Sequence, residues 1–304
     1  MVTSGSPVPE EIHHGQQIRR NDLVSYYEEA DYMISQQLTA VVSANESAVV
    51  KVLSADTDVF VLLCAHLWKC KWYLIKLYMD TFSNDRDKLI SINKTVETHK
   101  GVIPSLIGLH ALSGCDTVPM MFGIGKSKAL KAVNEVPLNF IGNKDADMGD
   151  IMQEGFAFVA QCYGQSNKGS SENRHIIWMK KTDSAKKSSK APTLKSLPPT
   201  DETLKENIKR AHYNAALWYN CITGIPPQMN PCDYGWEKNS QSNHDAKIAP
   251  EGVLKITHCK CASSKCFKIG VKYTNFCGYI DCENEKKPCL SENDAEEDER
   301  SDVD

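Results

Sequence analysis

An apolar segment that ends at a glycine and is followed closely by one aspartate constrains the possible folds of this chain more than any other feature. Residues 107–117 read Ile-Gly-Leu-His-Ala-Leu-Ser-Gly-Cys-Asp-Thr, and residues 122–130 read Phe-Gly-Ile-Gly-Lys-Ser-Lys-Ala-Leu. The pattern predicts a helix followed by Asp116, and then a Gly-x-Gly-Lys turn that opens another helix. Backbone N–H groups at such a turn are accessible, and the helix dipole favours anions there. The candidate phosphate-binding residues are Gly123, Gly125, Lys126 and Lys128.

Further carboxylates lie upstream of this segment. Residues 28–31 read Glu-Glu-Ala-Asp and open a stretch with apolar residues at helical spacing. Residues 49–53 read as a buried strand, and Asp56 and Asp58 follow it, at the sheet edge where open α/β folds bind ligands. Mg²⁺ prefers carboxylate oxygens and water, and Mn²⁺ accepts similar ligands. The candidate ligands for one or two such ions are Glu29, Asp31, Asp56, Asp58 and Asp116, of which Asp56, Asp58 and Asp116 are the candidate catalytic residues.

Each of these acidic residues also has an ordinary explanation. Asp56 can be the N-cap of a following helix, Glu29 and Asp31 can favour a helix N-terminus, and Asp116 can cap the next helix. Residues i and i+2 point apart within a helix, so Glu29 and Asp31 share an ion only if the first turn is entered from a loop or water bridges one of them. Neighbouring histidines and cysteines are interpreted as structural: His66, His99, His110, Cys64 and Cys115.

Within residues 25–135 the chain resembles PIN-like nucleases of the flap-endonuclease class. Residues 29–31 are similar to that family's Glu-Ala-Glu, residues 56–58 to its Asp-x-Asp, and residues 112–116 to its Leu-Gly-x-Asp. Residues 123–126 resemble the helix-turn-helix with which the family grips duplex phosphates through backbone amides and a monovalent cation. The narrowest likeness is to a group of uncharacterised animal proteins related to mobile elements.

The resemblance implies an α/β, PIN-like fold with a parallel sheet and a helix-turn-helix, and metal-dependent phosphodiester hydrolysis as the ancestral reaction. The family's fold begins with a strand that carries an essential aspartate, and no segment before Glu28 reads as that strand. We therefore expect a partial domain that is a weak nuclease or none. The alternatives are a catalytically inactive nucleic-acid-binding or adaptor protein, and a degenerate mobile-element fragment. The expected partner is nucleic acid, with DNA favoured, and no membrane.

Six of the 12 cysteines fall within residues 259–289. The chain shows no secretion signal and no transmembrane run, so we expect an intracellular protein, nuclear or cytoplasmic, whose clustered cysteines bind metal. The segment resembles a degenerate Tesmin/TSO1-like cysteine-rich module, which implies an ancestral zinc site with four ligands per ion. The alternative is a tail of reduced thiols. The candidate ligands for one zinc ion are Cys259, Cys261, Cys266, Cys277 and Cys282.

Composition divides the chain into six predicted segments. The net charge of −4 gives no global basic signature, so contacts with nucleic acid must come from local patches. The predicted segments are a flexible tail (1–20), a PIN-like nuclease-type domain (21–165), a Lys/Ser/Pro linker (166–199), a helix with an irregular segment (200–250), a small irregular cysteine-rich segment (251–290) and an acidic disordered tail (291–304).

Overall fold

Eight α-helices and small β-sheets make up the part of the chain that the computed structural model describes, namely residues 2–3, 8–27, 29–81, 88–165, 170–185, 194–237 and 245–246. The strands are β1 (Val2–Thr3), β2 (Glu10–His13), β3 (Gln16–Arg19), β4 (Val49–Leu53), β5 (Lys76–Thr81), β6 (Lys88–Ser91), β7 (Trp236–Glu237) and β8 (Asp245–Ala246). The helices are α1 (Ala30–Ala44), α2 (Thr57–Lys69), α3 (Ile92–Thr98), α4 (Leu106–Leu112), α5 (Lys126–Glu135), α6 (Met148–Cys162), α7 (Ser170–Ala185) and α8 (Asp201–Asn220). The fold is therefore mixed α/β.

The central sheet is mixed, which corrects the expected parallel sheet. Strands β4 and β5 are parallel, in a register that pairs Val49 with Lys76 and Leu53 with Asp80. Strand β6 returns antiparallel to β5. Residues 82–87 alone separate β5 from β6, and a parallel crossover requires a dozen residues or more.

Two hydrophobic clusters hold the helices in place. The first lies between the inner face of the central sheet and helices α1, α2 and α3, with Leu63, Leu77 and Ile92 almost fully buried. The opposite face of the sheet carries exposed apolar side chains, among them Leu53 and Leu89. The second cluster joins α2, α4, α5, α6 and α8. Helix α8 buries one apolar stripe in it, as its sequence spacing predicts: Leu204, Ile208, Ala211, Ala215 and Trp218.

The first twenty residues include an ordered hairpin where a flexible tail is predicted. Strands β2 and β3 pair antiparallel, and β1 pairs with β2. His14 and Gly15 connect β2 to β3 with φ values of 47° and 79°. Positive φ at both central residues defines the type I′ turn, whose twist matches a two-stranded ribbon.

Helix α7 lies where composition predicts a linker. Its Asn173 and Ile177, four residues apart, are buried on the face that packs against α6. The lysine-rich composition of the segment does not indicate this buried face, because only two of the described residues of α7, Asn173 and Ile177, are buried. None of the helices in the described ranges is long and apolar enough to cross a membrane.

Candidate metal centre

Two helix N-termini meet at the carboxyl end of β4 and bring the acidic blocks together. Helix α1 has Glu29 as its N-cap and Asp31 in its first turn. Helix α2 has Asp56 as its N-cap and Asp58 in its first turn. The Asp58 backbone N–H donates to Asp56 Oδ1 at 2.9 Å, so the ordinary capping role expected for Asp56 is present. Such capping uses one carboxylate oxygen.

Three of the five candidate ligands form a close cluster. Asp31, Asp56 and Asp58 each offer a carboxylate oxygen, and these oxygens all lie within 4.8 Å of one another. Asp31 and Asp58 are partly buried and Asp56 is exposed. Carboxylates this close repel one another when all are ionised, and they match the oxygen-only donor set that Mg²⁺ prefers.

Burial and the crowding of negative charges both change the pKa of Asp31. Its pKa is raised from 3.8 to about 6, first by desolvation and then by the negative charges of Asp56, Asp58, Glu29 and Asp116. A carboxyl group whose pKa is raised by both burial and like charges is typical of a functional site.

Glu29 and Asp116 flank the cluster without belonging to it. Both side chains are exposed, and Glu29 is in the extended conformation of an N-cap, outside the helix. Asp116 lies in the turn closed by the bridge between Cys115 and Val118, directly after α4. Because both charges act on the pKa of Asp31, the sequence-predicted residues share one neighbourhood, within which three approach closely.

A histidine that the sequence indicates to be structural contacts this cluster. His110 Nε2 lies 2.7 Å from Asp58 Oδ1. The His110 side chain is buried in the last turn of α4, and its ring lies against Trp218 with centroids 5.5 Å apart. The sequence signal for a role of His110 at the site is its position in the last turn of the helix that precedes Asp116.

The other two histidines take no part in the cluster. His66 is buried and contacts the Cys221 thiol, 3.3 Å from Nε2, and burial lowers its pKa to about 4. His99 is exposed at the end of α3. Cys64 is a core thiol as expected, whereas Cys115 is only half-buried.

Lys126 does not face solvent as a phosphate ligand would. Its ammonium donates to the backbone oxygens of His110 and Gly114, at 2.8 and 2.6 Å, and to Ser113 Oγ at 3.0 Å. These three acceptors match the three N–H donors of a lysine. Burial lowers the pKa of Lys126. The side chain therefore caps the C-terminal end of α4 and ties it to the start of α5, which does not fit the predicted phosphate-binding role.

The glycines of the same turn differ from each other. Gly123 has a φ of 73°, in the left-handed region that favours glycine. Gly125 is the N-cap of α5 with φ −94° and ψ 170°, a conformation that other residues adopt. A Cβ at either position would meet no atom within 4 Å. Both glycines leave the backbone accessible, but only Gly123 is required for the shape of the turn.

An open cleft of about 630 Å³ adjoins this turn. Lys128 and Lys131 of α5 line it with exposed side chains, and Lys181 of α7 lines its other side. The Lys181 ammonium donates to the Ser196 backbone oxygen at 2.8 Å. Of these three lysines, the sequence predicts phosphate binding only for Lys128. Lys131 and Lys181 line the cleft because α5 and α7 both pack against α6, which the sequence motif does not indicate.

The candidate zinc ligands lie outside the described residues, in the range 248–304. The prediction of one zinc ion at Cys259, Cys261, Cys266, Cys277 and Cys282 therefore stays a prediction from sequence.

No known family model matches this chain, and no curated protein or solved structure is similar to it. The likeness to PIN-like nucleases therefore rests on the motifs alone.

Proposed function

We propose that this chain is a nucleic-acid-binding protein of structure-specific nuclease ancestry whose acidic cluster binds one or two Mg²⁺ or Mn²⁺ ions. The observation that carries the proposal is the approach of three carboxylate oxygens within 4.8 Å at the carboxyl end of β4. The motifs that supply these residues occur in the order of the PIN-like family, which favours phosphodiester chemistry over other uses of an acidic site.

The residues present fit a divalent cation. The donor set of Asp31, Asp56 and Asp58 consists of oxygens, as hard cations require. The raised pKa of Asp31 supports this fit, because burial and the neighbouring negative charges make full ionisation of the cluster unfavourable without a counter-charge. A bound cation supplies that charge, and it also polarises phosphate oxygens and lowers the pKa of water.

Different residues of the chain bind the ion and attract the nucleic acid in this proposal. Asp31, Asp56 and Asp58 hold the ion, and Glu29 and Asp116 add negative charge at its margin, where they can contact it through water. Lys128 and Lys131 attract the phosphate backbone into the cleft beside the glycine-rich turn. In this proposal the partner is nucleic acid, with DNA favoured by the family likeness.

A non-catalytic role is the second candidate, and one observation favours it. Glu29 and Asp116 lie outside the group of three oxygens, so a second ion would have few direct protein ligands. Two-metal sites divide the attacking and leaving oxygens between two ions. A single ion would still hold a phosphate, and the protein would then bind nucleic acid with weak cleavage or none.

The test combines metal binding with cleavage. Melting temperature is measured across an Mg²⁺ series for the wild type, for Asp58→Asn and for the matched surface control Asp145→Asn. An ion present at 100 times its Kd stabilises the folded protein by about 2.7 kcal/mol. We expect Mg²⁺ to raise the melting temperature of the wild type and the control but not that of Asp58→Asn. No rise in any of the three proteins would refute the metal site.

Cleavage of flap, single-strand and duplex substrates then separates the two candidates. Mg²⁺-dependent cleavage that disappears in Asp58→Asn identifies a nuclease. Metal binding and nucleic-acid binding without cleavage identify the non-catalytic protein.

A further inference from the structure

We infer that His110 is a positioning residue that holds the Asp58 carboxylate in the orientation that a divalent cation requires. This inference rests on the proposed metal centre. Its basis is the 2.7 Å contact between His110 Nε2 and Asp58 Oδ1. No sequence motif assigns His110 a role at the site, and its burial at first indicates a core histidine.

The contact engages one of the two carboxylate oxygens of Asp58. With His110 donating from Nε2, Oδ1 accepts that hydrogen bond, which leaves all of the acceptor capacity of Oδ2 and part of that of Oδ1 for an ion. The same arrangement recurs at Asp56, whose Oδ1 accepts the Asp58 backbone N–H. Asp58 is thus oriented by His110 and itself orients Asp56. Hydrogen bonds of this kind to metal ligands commonly set both their direction and their affinity.

His110 is fixed at both its main chain and its side chain. Its backbone oxygen accepts a hydrogen bond from the Lys126 ammonium at 2.8 Å. Its side chain is only 6% exposed, and its ring lies against Trp218 of α8. Helix α4, which carries it, packs against α2, α5 and α8. A donor held this firmly can restrict the Asp58 side chain before any ion arrives, so less conformational entropy is lost on binding.

A purely packing role makes a different prediction from a positioning role. Packing depends on the shape of the ring against Trp218, whereas positioning depends on an N–H group near Asp58. His110→Phe keeps a ring and removes the donor, and His110→Leu provides the same test should the larger ring not fit. His110→Gln removes the ring and keeps an N–H donor. His66→Gln is the matched control, because His66 is also buried but contacts Cys221.

The experiment measures Mn²⁺ affinity of each full-length protein by calorimetry at one fixed pH, together with metal-free melting curves. We expect His110→Phe or His110→Leu to weaken Mn²⁺ binding by about 10- to 100-fold, the usual effect of removing such a partner. His110→Gln should recover most of that loss, and His66→Gln should bind as the wild type does.

Three outcomes would overturn the inference. Mn²⁺ affinity unchanged in the variant without a donor would refute His110 while leaving the metal centre intact, and so would an equal loss in His110→Gln. A wild-type protein that binds no Mn²⁺ would instead refute the metal centre, and the role of His110 with it.

Discussion

The acidic cluster and the glycine-rich turn are both predicted from charged residues in sequence motifs, but their charged groups have opposite surroundings in the structure. Asp31, Asp56 and Asp58 bring like charges together. Lys126 of the turn instead places its single charge among three oxygen acceptors at the end of α4. The first arrangement raises the pKa of Asp31, first through burial and then through repulsion, and the second satisfies every donor of the ammonium group.

Under the proposed function, this difference separates a functional use of charge from a structural one. The three hydrogen bonds of Lys126 explain its position by folding alone. Carboxylates held together against their repulsion are stabilised by a nearby positive charge, which in that proposal a divalent cation supplies. The turn contributes to the site indirectly, because Lys126 anchors the helix end that carries His110 and leads to Asp116.

The largest effect should come from Lys126→Met. This change removes three hydrogen bonds from a half-buried ammonium and leaves the His110 and Gly114 carbonyl groups with fewer donors. Hydrogen bonds to charged groups are worth about 1.5–3 kcal/mol. We expect urea unfolding to show a loss of about 2–3 kcal/mol. Lys128→Met, which changes an exposed lysine in the same helix, should stay within about 0.5 kcal/mol of the wild type. If Lys126→Met instead melts as the wild type and loses nucleic-acid affinity, the turn binds phosphate after all.

The acidic cluster should show the reverse behaviour, a gain of stability on removing a charge. The folded-state pKa of Asp31, about 6, lies above its ordinary value of 3.8, so the folded protein binds this proton more tightly than the unfolded chain. Asp31 therefore destabilises the metal-free protein increasingly as pH rises from about 4 to about 6. Because its side chain is partly solvated, we expect the effect to be about 1 kcal/mol.

Asp31→Asn tests this directly. In chelator, the free energy of unfolding of the variant relative to the wild type should grow across that pH window and then remain constant. Saturating Mg²⁺ at pH 7 should reverse the order and make the wild type more stable. Asp145→Asn, at an exposed surface pair, should follow the wild type at every pH. A pH-independent difference between Asp31→Asn and wild type would mean that neither burial nor the neighbouring charges raise the pKa of Asp31 in the folded protein.

Local rules predict the elements that carry the acidic residues, whereas their meeting in space was expected only from the ordered match of the acidic blocks to one family. A strand followed by Asp-x-Asp places both aspartates at a helix N-terminus, and the helix at Ala30 follows from its apolar spacing. Lys126, His110 and α7 depended on tertiary packing instead. The direction of the Lys126 side chain is set by the carbonyl groups at the C-terminal end of α4, and the partner of His110 lies 52 residues away in sequence. Periodicity carries no information about such contacts.

Within the turn, the two glycines should respond unequally to alanine. Gly123→Ala forces a side chain into a φ of 73°, which costs about 1 kcal/mol. Gly125→Ala places it at φ −94° with no atom within 4 Å, so the free energy of unfolding should scarcely change. Thermal melts of the two variants measure the contrast. Equal losses would show that the backbone of the turn is shaped differently from the structure described here.

The smallest effect should be the one that tests what remains of the phosphate-binding hypothesis. Because Lys126 is hydrogen-bonded to three oxygens, the lysines near the turn that can contact phosphate are Lys128 and Lys131, whose side chains are exposed in the cleft. Each phosphate that a lysine neutralises releases counterions, so Lys128→Ala and Lys131→Ala should each reduce the slope of log affinity against log salt by about one. Folding stability should hardly change, because neither residue is buried. Lys100→Ala, at an exposed lysine in the turn after α3, serves as the matched control. Filter binding to one duplex and one single strand across a salt series measures the slopes. Identical slopes in all four proteins would confine the role of this region to joining α4 to α5, and any binding of nucleic acid would then have to depend on the ion held by the acidic cluster.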